Sequence, residues 1–195
     1  MFYSNKELKD LGCRKIGKNS RISNKTLIYS NNFEIGDNVR IDDLVTLKGK
    51  IVIKNNVHLA KGCTLSGGTK GIFLDDFVTI SNFVKIYTCS DDYIGPFITS
   101  ATLGKIAMKN YCKIYDKSIH VGKNVMIGSM SVILPGANIE DYSSIGALSI
   151  IYKKIPKGLY YSNYNKIEVR KRDIALMKMK MKKIKKYLKT TSEFR

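Results

Sequence analysis

No run of about 18 apolar residues occurs anywhere in the 195-residue chain, so no transmembrane helix is expected. The opening MFYSNKELKD lacks the apolar core of a secretion signal, and the expected location is cytoplasmic. Cysteine is sparse. Cys13, Cys63, Cys89 and Cys112 share no paired spacing, which argues against a disulfide framework and against a zinc site. Acidic residues are outnumbered, 16 against 34 Lys and Arg, and the formal charge of +18 points to an anionic partner. Over most of the chain two further patterns are missing: the three-and-four apolar spacing of a helix and the strict alternation of an ordinary strand.

A period of six takes their place. From Val121 the chain reads VGKNVM, IGSMSV, ILPGAN, IEDYSS, IGALSI, with aliphatic anchors at Val121, Ile127, Ile133, Ile139, Ile145 and Ile151. Four residues after successive anchors come the small or branched Val125, Ser131, Ala137, Ser143 and Ser149. Earlier anchors are Ile16, Ile22 and Ile28, then, after one extra residue, Ile35, Ile41, Leu47, Ile53, Leu59 and Leu65. An insertion around 67–71 shifts the frame to Leu74, Ile80 and Ile86. Such a repeat fits a solenoid of short parallel strands, one large and one smaller side chain per face turned inward. Eighteen anchors make roughly six coils of three faces. Asn19, Asn24, Asn38, Asn55, Asn56 and Gly128 suit the left-handed backbone angles of the corners. Cys63 falls at a small inward position and reads as core filling.

Segments outside this phase bound the domains. Residues 1–15 form an amino-terminal cap, with Ser4 and Glu7 as a capping box opening a helix through about Leu11. The β-helix is expected over 16–152, interrupted by an excursion at 91–118. That excursion is long for a connection in a compact domain, and its aromatic and aliphatic residues speak for a functional loop. Residues 153–168 read as an exit segment and 169–195 as a basic amphipathic helix. Its narrow seam is Ile174, Met177, Met181, Ile184 and Leu188, and its lysine-rich back suits an anionic membrane or polymer if the seam packs inward. No specific nucleic acid is expected as a partner.

The stretch SIHVGKNVMIGSMSVILPGANIEDYSSIGALSIIYKKIPKG resembles the hexapeptide-repeat acyltransferases, and is similar to galactoside- and maltose-type and polysaccharide O-acetyltransferases. The resemblance implies an all-β solenoid, a left-handed parallel β-helix, with a loop that reaches a neighbouring subunit in a homotrimer. It implies acetyl-coenzyme A as co-substrate and no metal. Carried over position by position, the coenzyme contacts are Ser129, Ala147 (in IGALS), Tyr152 and Lys153 at the family's Thr-Lys, and Lys166 in the exit segment. The family's Gly-Asn-Pro-Ala is here Ser162, Asn163, Tyr164 and Asn165.

The acid–base position departs from the family. A His is expected shortly after Ile86, yet the chain reads Tyr87, Thr88, Cys89, Ser90, Asp91, Asp92, Tyr93. Asp91 and Asp92, with His120 just before a core anchor, are the candidate catalytic groups; otherwise the acceptor is an amine that attacks unaided. His58 has the same outward phase but reads as a surface residue. The resemblance therefore implies an acetyl-coenzyme A-dependent O-acetyltransferase acting on a sugar hydroxyl in surface polysaccharide modification. Two alternatives stay open: N-acetylation of a nucleotide amino sugar, and a non-catalytic scaffold that binds an anionic polymer.

Overall fold

The anchors all turn the same way. In a computed structural model, which describes residues 1–98, 104–164 and 167–190, sixteen of the eighteen are buried in one continuous column. Ile16 and Ile28, in the first coil, pack against that column while partly exposed. Each buried aliphatic of this size contributes about 1.5–3 kcal/mol on leaving water, so the column is the main source of stability. The smaller inward positions are filled by Val39, Val45, Val57, Cys63, Val78, Val84, Val125 and Ala137. In the last coils the same position is taken by Ser131, Ser143 and Ser149, also buried. Ser131 and Ser143 donate to the Gly146 and Pro156 carbonyls, at 3.0 and 2.8 Å, so their hydroxyls are satisfied.

Three parallel sheets form the faces. The first runs from Cys13–Ile16 to Lys154–Ile155, and the second from Arg21–Ile22 to Leu159–Ser162. The third runs from Leu27–Tyr29 to Ile150–Ile151. The first face has seven rungs and the third six; the second has eight, the last being Glu168–Lys171, which pairs antiparallel with Leu159–Ser162. The winding thus continues beyond the six coils counted from the anchors. It also passes through the segment read as an exit, because Ile155 and Tyr161 stay in register with Ile139 and Ile145 and are buried.

Corners are made by residues with left-handed φ, three positions before an anchor. Asn19, Asn38 and Asn56 are among them, as expected; Asn24, Asn55 and Gly128 are not. Asn55 instead uses its side chain, accepting from the Asp37 amide at 2.8 Å and donating to Asp76 at 3.1 Å. Bulky residues take many corners: Leu44, Phe77, Phe83, Met130, Tyr142 and Leu148. Hydrogen bonds from each corner N–H to the preceding coil hold them there, for example Tyr142 to Lys123 at 2.7 Å.

The amino-terminal helix α1 (Asn5–Asp10) has the full capping box, with Glu7 N donating to Ser4 Oγ and Ser4 N to Glu7 Oε2. Its Leu8 is buried over the first coil, closing that end. A short helix α2 (Lys105–Tyr111) lies within the excursion. The carboxy-terminal helix α3 (Ile174–Thr190) returns along the corner between the first and second faces. Ile174 lies against Gly158, Lys185 Nζ is 5.7 Å from the Phe77 ring, and Leu188 shares a cleft with Asn38 and Asn56. Arg172, just before it, donates to the Tyr142 and Ser143 carbonyls at 2.6 and 2.8 Å. The seam therefore faces the solenoid except at Ile184, which is exposed along with Lys178, Lys180, Lys182 and Lys183. Among the described residues no helix is long and apolar enough to cross a membrane.

Candidate active site

The chain leaves the third face after Tyr87, and the reason is local. Thr88 is still buried, its hydroxyl donating to the Ser66 carbonyl at 3.2 Å. Cys89–Asp91 then pairs antiparallel with Ile114–Asp116 and lifts away as a ribbon. Lys117 N donates to the Thr88 carbonyl at 2.9 Å, which returns the chain to the first face at Ile119–Val121. The excursion is thus an arm with a defined root. At that root Asp116 accepts from Cys89 Sγ at 3.2 Å and from Thr69 Oγ1 at 2.6 Å. Partial burial and the neighbouring Asp116 push the Cys89 thiol up, so it is a poor nucleophile near neutral pH.

Asp91 and Asp92, adjacent in sequence, have opposite surroundings. Asp92 is buried. Its Oδ1 accepts from the Gly95 and Ile94 amides, each at 3.0 Å, and Lys113 Nζ lies 3.3 Å from Oδ2. The two amides, and then Lys113, hold its carboxyl below the usual carboxylate range. The Lys113 ammonium is in turn 5.5 Å from the Phe97 ring and 5.2 Å from that of Tyr115. Both carboxylate oxygens are engaged, so Asp92 braces the turn of the arm. Asp91 is exposed on the ribbon, and among the described residues its carboxylate has no hydrogen-bond or ion-pair partner.

His120 lies on the first face. Its ring stacks on Phe73 with centroids 4.7 Å apart and planes 8° from parallel, and Nε2 is 3.1 Å from Ser118 Oγ. It lines a groove of ≈ 550 Å³ with Phe73, Asp75, Asn138, Glu140 and Lys157. No hydrogen bond joins His120 to Asp91 or Asp92, and each of His120 and Asp92 has partners of its own. His58, on the second face, is bonded to Asp42 at 2.9 Å.

Two of the coenzyme candidates, Ser129 and Ala147, fall together at the corner between the second and third faces. Ile127, Ile145 and Tyr161 are in register, and the second residue after each is Ser129, Ala147 and Asn163. The residues between include Gly128 and Gly146. A Cβ on Gly128 would run into the Ala147 backbone, so the coils meet there without intervening side chains. The result is a smooth corner where a slender chain could lie against backbone. Tyr152 and Lys153 are exposed just after the last third-face strand, with Lys153 Nζ 5.1 Å from the Tyr161 ring. Lys166 lies outside the described residues. Among those residues no group of three or more His, Cys, Asp or Glu is placed to hold a metal.

Sequence reasoning missed the Asp116–Thr69–Cys89 root, and placed Asn163 in the exit motif without giving it a contact. Asp116 and Thr69 are 47 residues apart and meet only because the ribbon folds back, so no local signal marks them. The register position of Asn163 could have been found by continuing the repeat past Ile151 through Ile155 to Tyr161.

No protein-family model matches the chain. Among curated proteins it is 32% identical over 149 residues to dTDP-4-amino-4,6-dideoxy-D-glucose acyltransferase of Escherichia coli, covering 74% of this chain and 75% of that one. Galactoside O-acetyltransferase of Escherichia coli strain K12 is 28% identical over 145 residues, covering 70% and 71%. Among solved structures, a point mutant of AntD, an N-acyltransferase from Bacillus cereus, in complex with dTDP and coenzyme A, superposes with a TM-score of 0.84. It is 30% identical, over 97% of this chain and 99% of that one.

Proposed function

This chain belongs to the hexapeptide-repeat acyltransferases, and on that premise we propose that it transfers an acyl group from coenzyme A to the amine of a nucleotide-linked amino sugar. The observation that carries the proposal is the likeness to AntD over 97% of the chain, since AntD is an N-acyltransferase solved with dTDP and coenzyme A. It favours the amine over the sugar hydroxyl, which the sequence alone had put first.

The chemistry of the arm root agrees with an amine. A neutral amine carries its own lone pair to the thioester carbonyl; the N–C bond forms, the C–S bond breaks, and the proton lost from nitrogen balances the departing thiol. A hydroxyl would need a base to take its proton as it attacks, typically worth 10²–10⁴-fold. By phase Asp91 stands where the resemblance expects a His, while in the subset with an SHSDDY-like string Cys89 does; Asp92 is engaged. Asp91, exposed on the ribbon and without a partner among the described residues, is the residue assigned to orient the acceptor amine toward the thioester. His120 is assigned a place in the adjoining groove, away from proton transfer.

The second-to-third corner suits coenzyme A. Ser129 and Ala147 leave its floor smooth, and Tyr152 and Lys153 follow the strand that starts from it, with Lys153 as a charge for phosphates; Lys166, expected in the same role, lies outside the described residues. Acetyl is the simplest acyl group; AntD has also been solved with 3-hydroxybutyryl-CoA.

The acting unit is proposed to be a homotrimer. On the arm, Tyr93, Ile94 and Ile106 are 87, 97 and 81% exposed, a cost that a neighbouring copy would remove.

The test is product mass spectrometry after incubation with acetyl-coenzyme A and either dTDP-4-amino-4,6-dideoxyglucose, a galactoside or maltose. Acylation of the amino sugar alone is expected. Acylation of a neutral sugar hydroxyl at comparable rate would overturn the reading in favour of O-acetylation. Thiol release with none of the acceptors would point to an unrelated substrate.

A further inference from the structure

The third sheet ends at Ile150–Ile151, and a strand at the end of a sheet leaves its outward N–H and C=O groups without a ladder partner. Here they are met by one side chain. Asn163 Oδ1 accepts from Ile150 N at 2.8 Å, and Asn163 Nδ2 donates to Ile150 O at 2.8 Å. A primary amide has the donor and acceptor of a peptide group, and Asn163 supplies both to a single residue, as the next strand would. Its own backbone is held too, with Asn163 N donating to Ser149 Oγ at 3.4 Å. Ser149 N in turn donates to Ser131 Oγ at 3.2 Å, so the contacts pass down into the buried serine column.

The place of this amide matters as much as its bonds. Asn163 occupies the corner position directly after Ser129 and Ala147, in the register set by Ile127, Ile145 and Tyr161. The strand it holds begins three residues after Ala147 and is followed at once by Tyr152 and Lys153. The strand that leads from the proposed coenzyme corner to Tyr152 and Lys153 is therefore tied to one side chain.

We infer that Asn163 is a positioning residue for the acyl donor: it stands in for a missing strand and fixes the segment from Ala147 to Lys153 against which coenzyme A lies. The inference rests on the coenzyme corner proposed above. Ile150 is half exposed, so water replaces the lost bonds if the amide is removed, and the fold survives. What changes is the order of the segment, which must then be restored on binding.

Two variants test it, Asn163→Leu, which keeps the shape and loses both bonds, and Asn163→Asp, which keeps the acceptor and loses the donor. Titration calorimetry with coenzyme A and steady-state kinetics are both read, beside the melting curve. Asn163→Leu should raise the coenzyme A Kd and the acetyl-coenzyme A KM together by about tenfold, a change of ~1.4 kcal/mol. Turnover at saturation and the acceptor KM should stay within about twofold. Asn163→Asp should fall between wild type and Asn163→Leu. A lowered melting temperature with unchanged Kd and KM would overturn the inference and leave Asn163 as an end cap alone. A loss of turnover with unchanged Kd would overturn it as well. If wild-type protein itself binds no coenzyme A, the proposed function fails; if wild type binds and the variants bind equally, only the role of Asn163 fails.

Discussion

The solenoid and the arm draw on the same residue types and use them in opposite directions. In the coils Ile, Leu and Val turn inward and vanish from the surface, and each coil is completed by its neighbours in the same chain. In the arm Tyr93, Ile94, Ile98 and Ile106 stay exposed, although the ribbon and α2 are well formed and Asp92, Lys113, Phe97 and Tyr115 knit its interior. The coils are self-sufficient; the arm has internal order without internal burial. A segment of that kind is shaped for contact with another surface, and the proposed trimer supplies one.

The contrast can be broken at several points. The largest effect is expected in the coils: Leu65→Ala should cost about 2–5 kcal/mol in denaturant unfolding, because the rigid stack above and below cannot close the cavity. An effect within about 0.5 kcal/mol, the usual range for surface sites, would mean the column is looser than described. On the arm, Ile94→Ser together with Ile106→Ser should leave protomer unfolding almost unchanged yet weaken association by about tenfold or more, ~1.4 kcal/mol. Light scattering over a dilution series checks this, and a wild-type protein that is monomeric at micromolar concentration would remove the trimer altogether.

Smaller still is the effect of acid on the arm. Because the Asp92 carboxyl is held below its ordinary range, its contribution is present above the unfolded carboxyl pKa of about 3.9 and is lost as pH falls through the lower folded value. The protection of the Ile94 and Gly95 amides, taken relative to their intrinsic exchange rate at each pH, should therefore fall on acidification below about pH 4, while the coils keep their protection. Asp92→Asn should show low protection at neutral pH and flatten that dependence. Asp91→Asn, lacking those bonds, should leave exchange alone and slow turnover; equal turnover would remove Asp91 from the mechanism.

The division between coils and arm also explains what could be read from sequence. A period of six leaves a mark on every sixth residue, so the anchors from Ile22 to Ile151 could be assigned individually. Beyond Ile151 the spacing shortens to Ile155 and the next inward residue is the aromatic Tyr161, so the six-residue mark fades there and the segment reads as an exit by resemblance. The arm has no period; its pairing of Cys89–Asp91 with Ile114–Asp116 depends on a fold-back that no spacing encodes. Asp91 and Asp92 looked alike for the same reason, since the amides of Ile94 and Gly95 that separate their roles become visible only in three dimensions. The corner at Ser129 and Ala147 was legible because it lies within the repeat.

The bulky corners have a consequence for the order of assembly. Leu44, Phe77, Phe83, Met130, Tyr142 and Leu148 adopt a backbone conformation that costs an L-residue about 1–2 kcal/mol. In every case the corner N–H donates to a carbonyl of the coil before it, as Leu148 does to Ser129 and Phe83 to Lys61. A corner can thus be held only against a coil already laid down, and α1 seals the end from which laying down begins. Growth from the amino terminus follows, which is also the direction in which a ribosome releases the chain. Nascent chains stalled at successive lengths should gain protease resistance one coil at a time from that end, whereas protection that starts at the carboxy-terminal coils would mean the corners impose no direction.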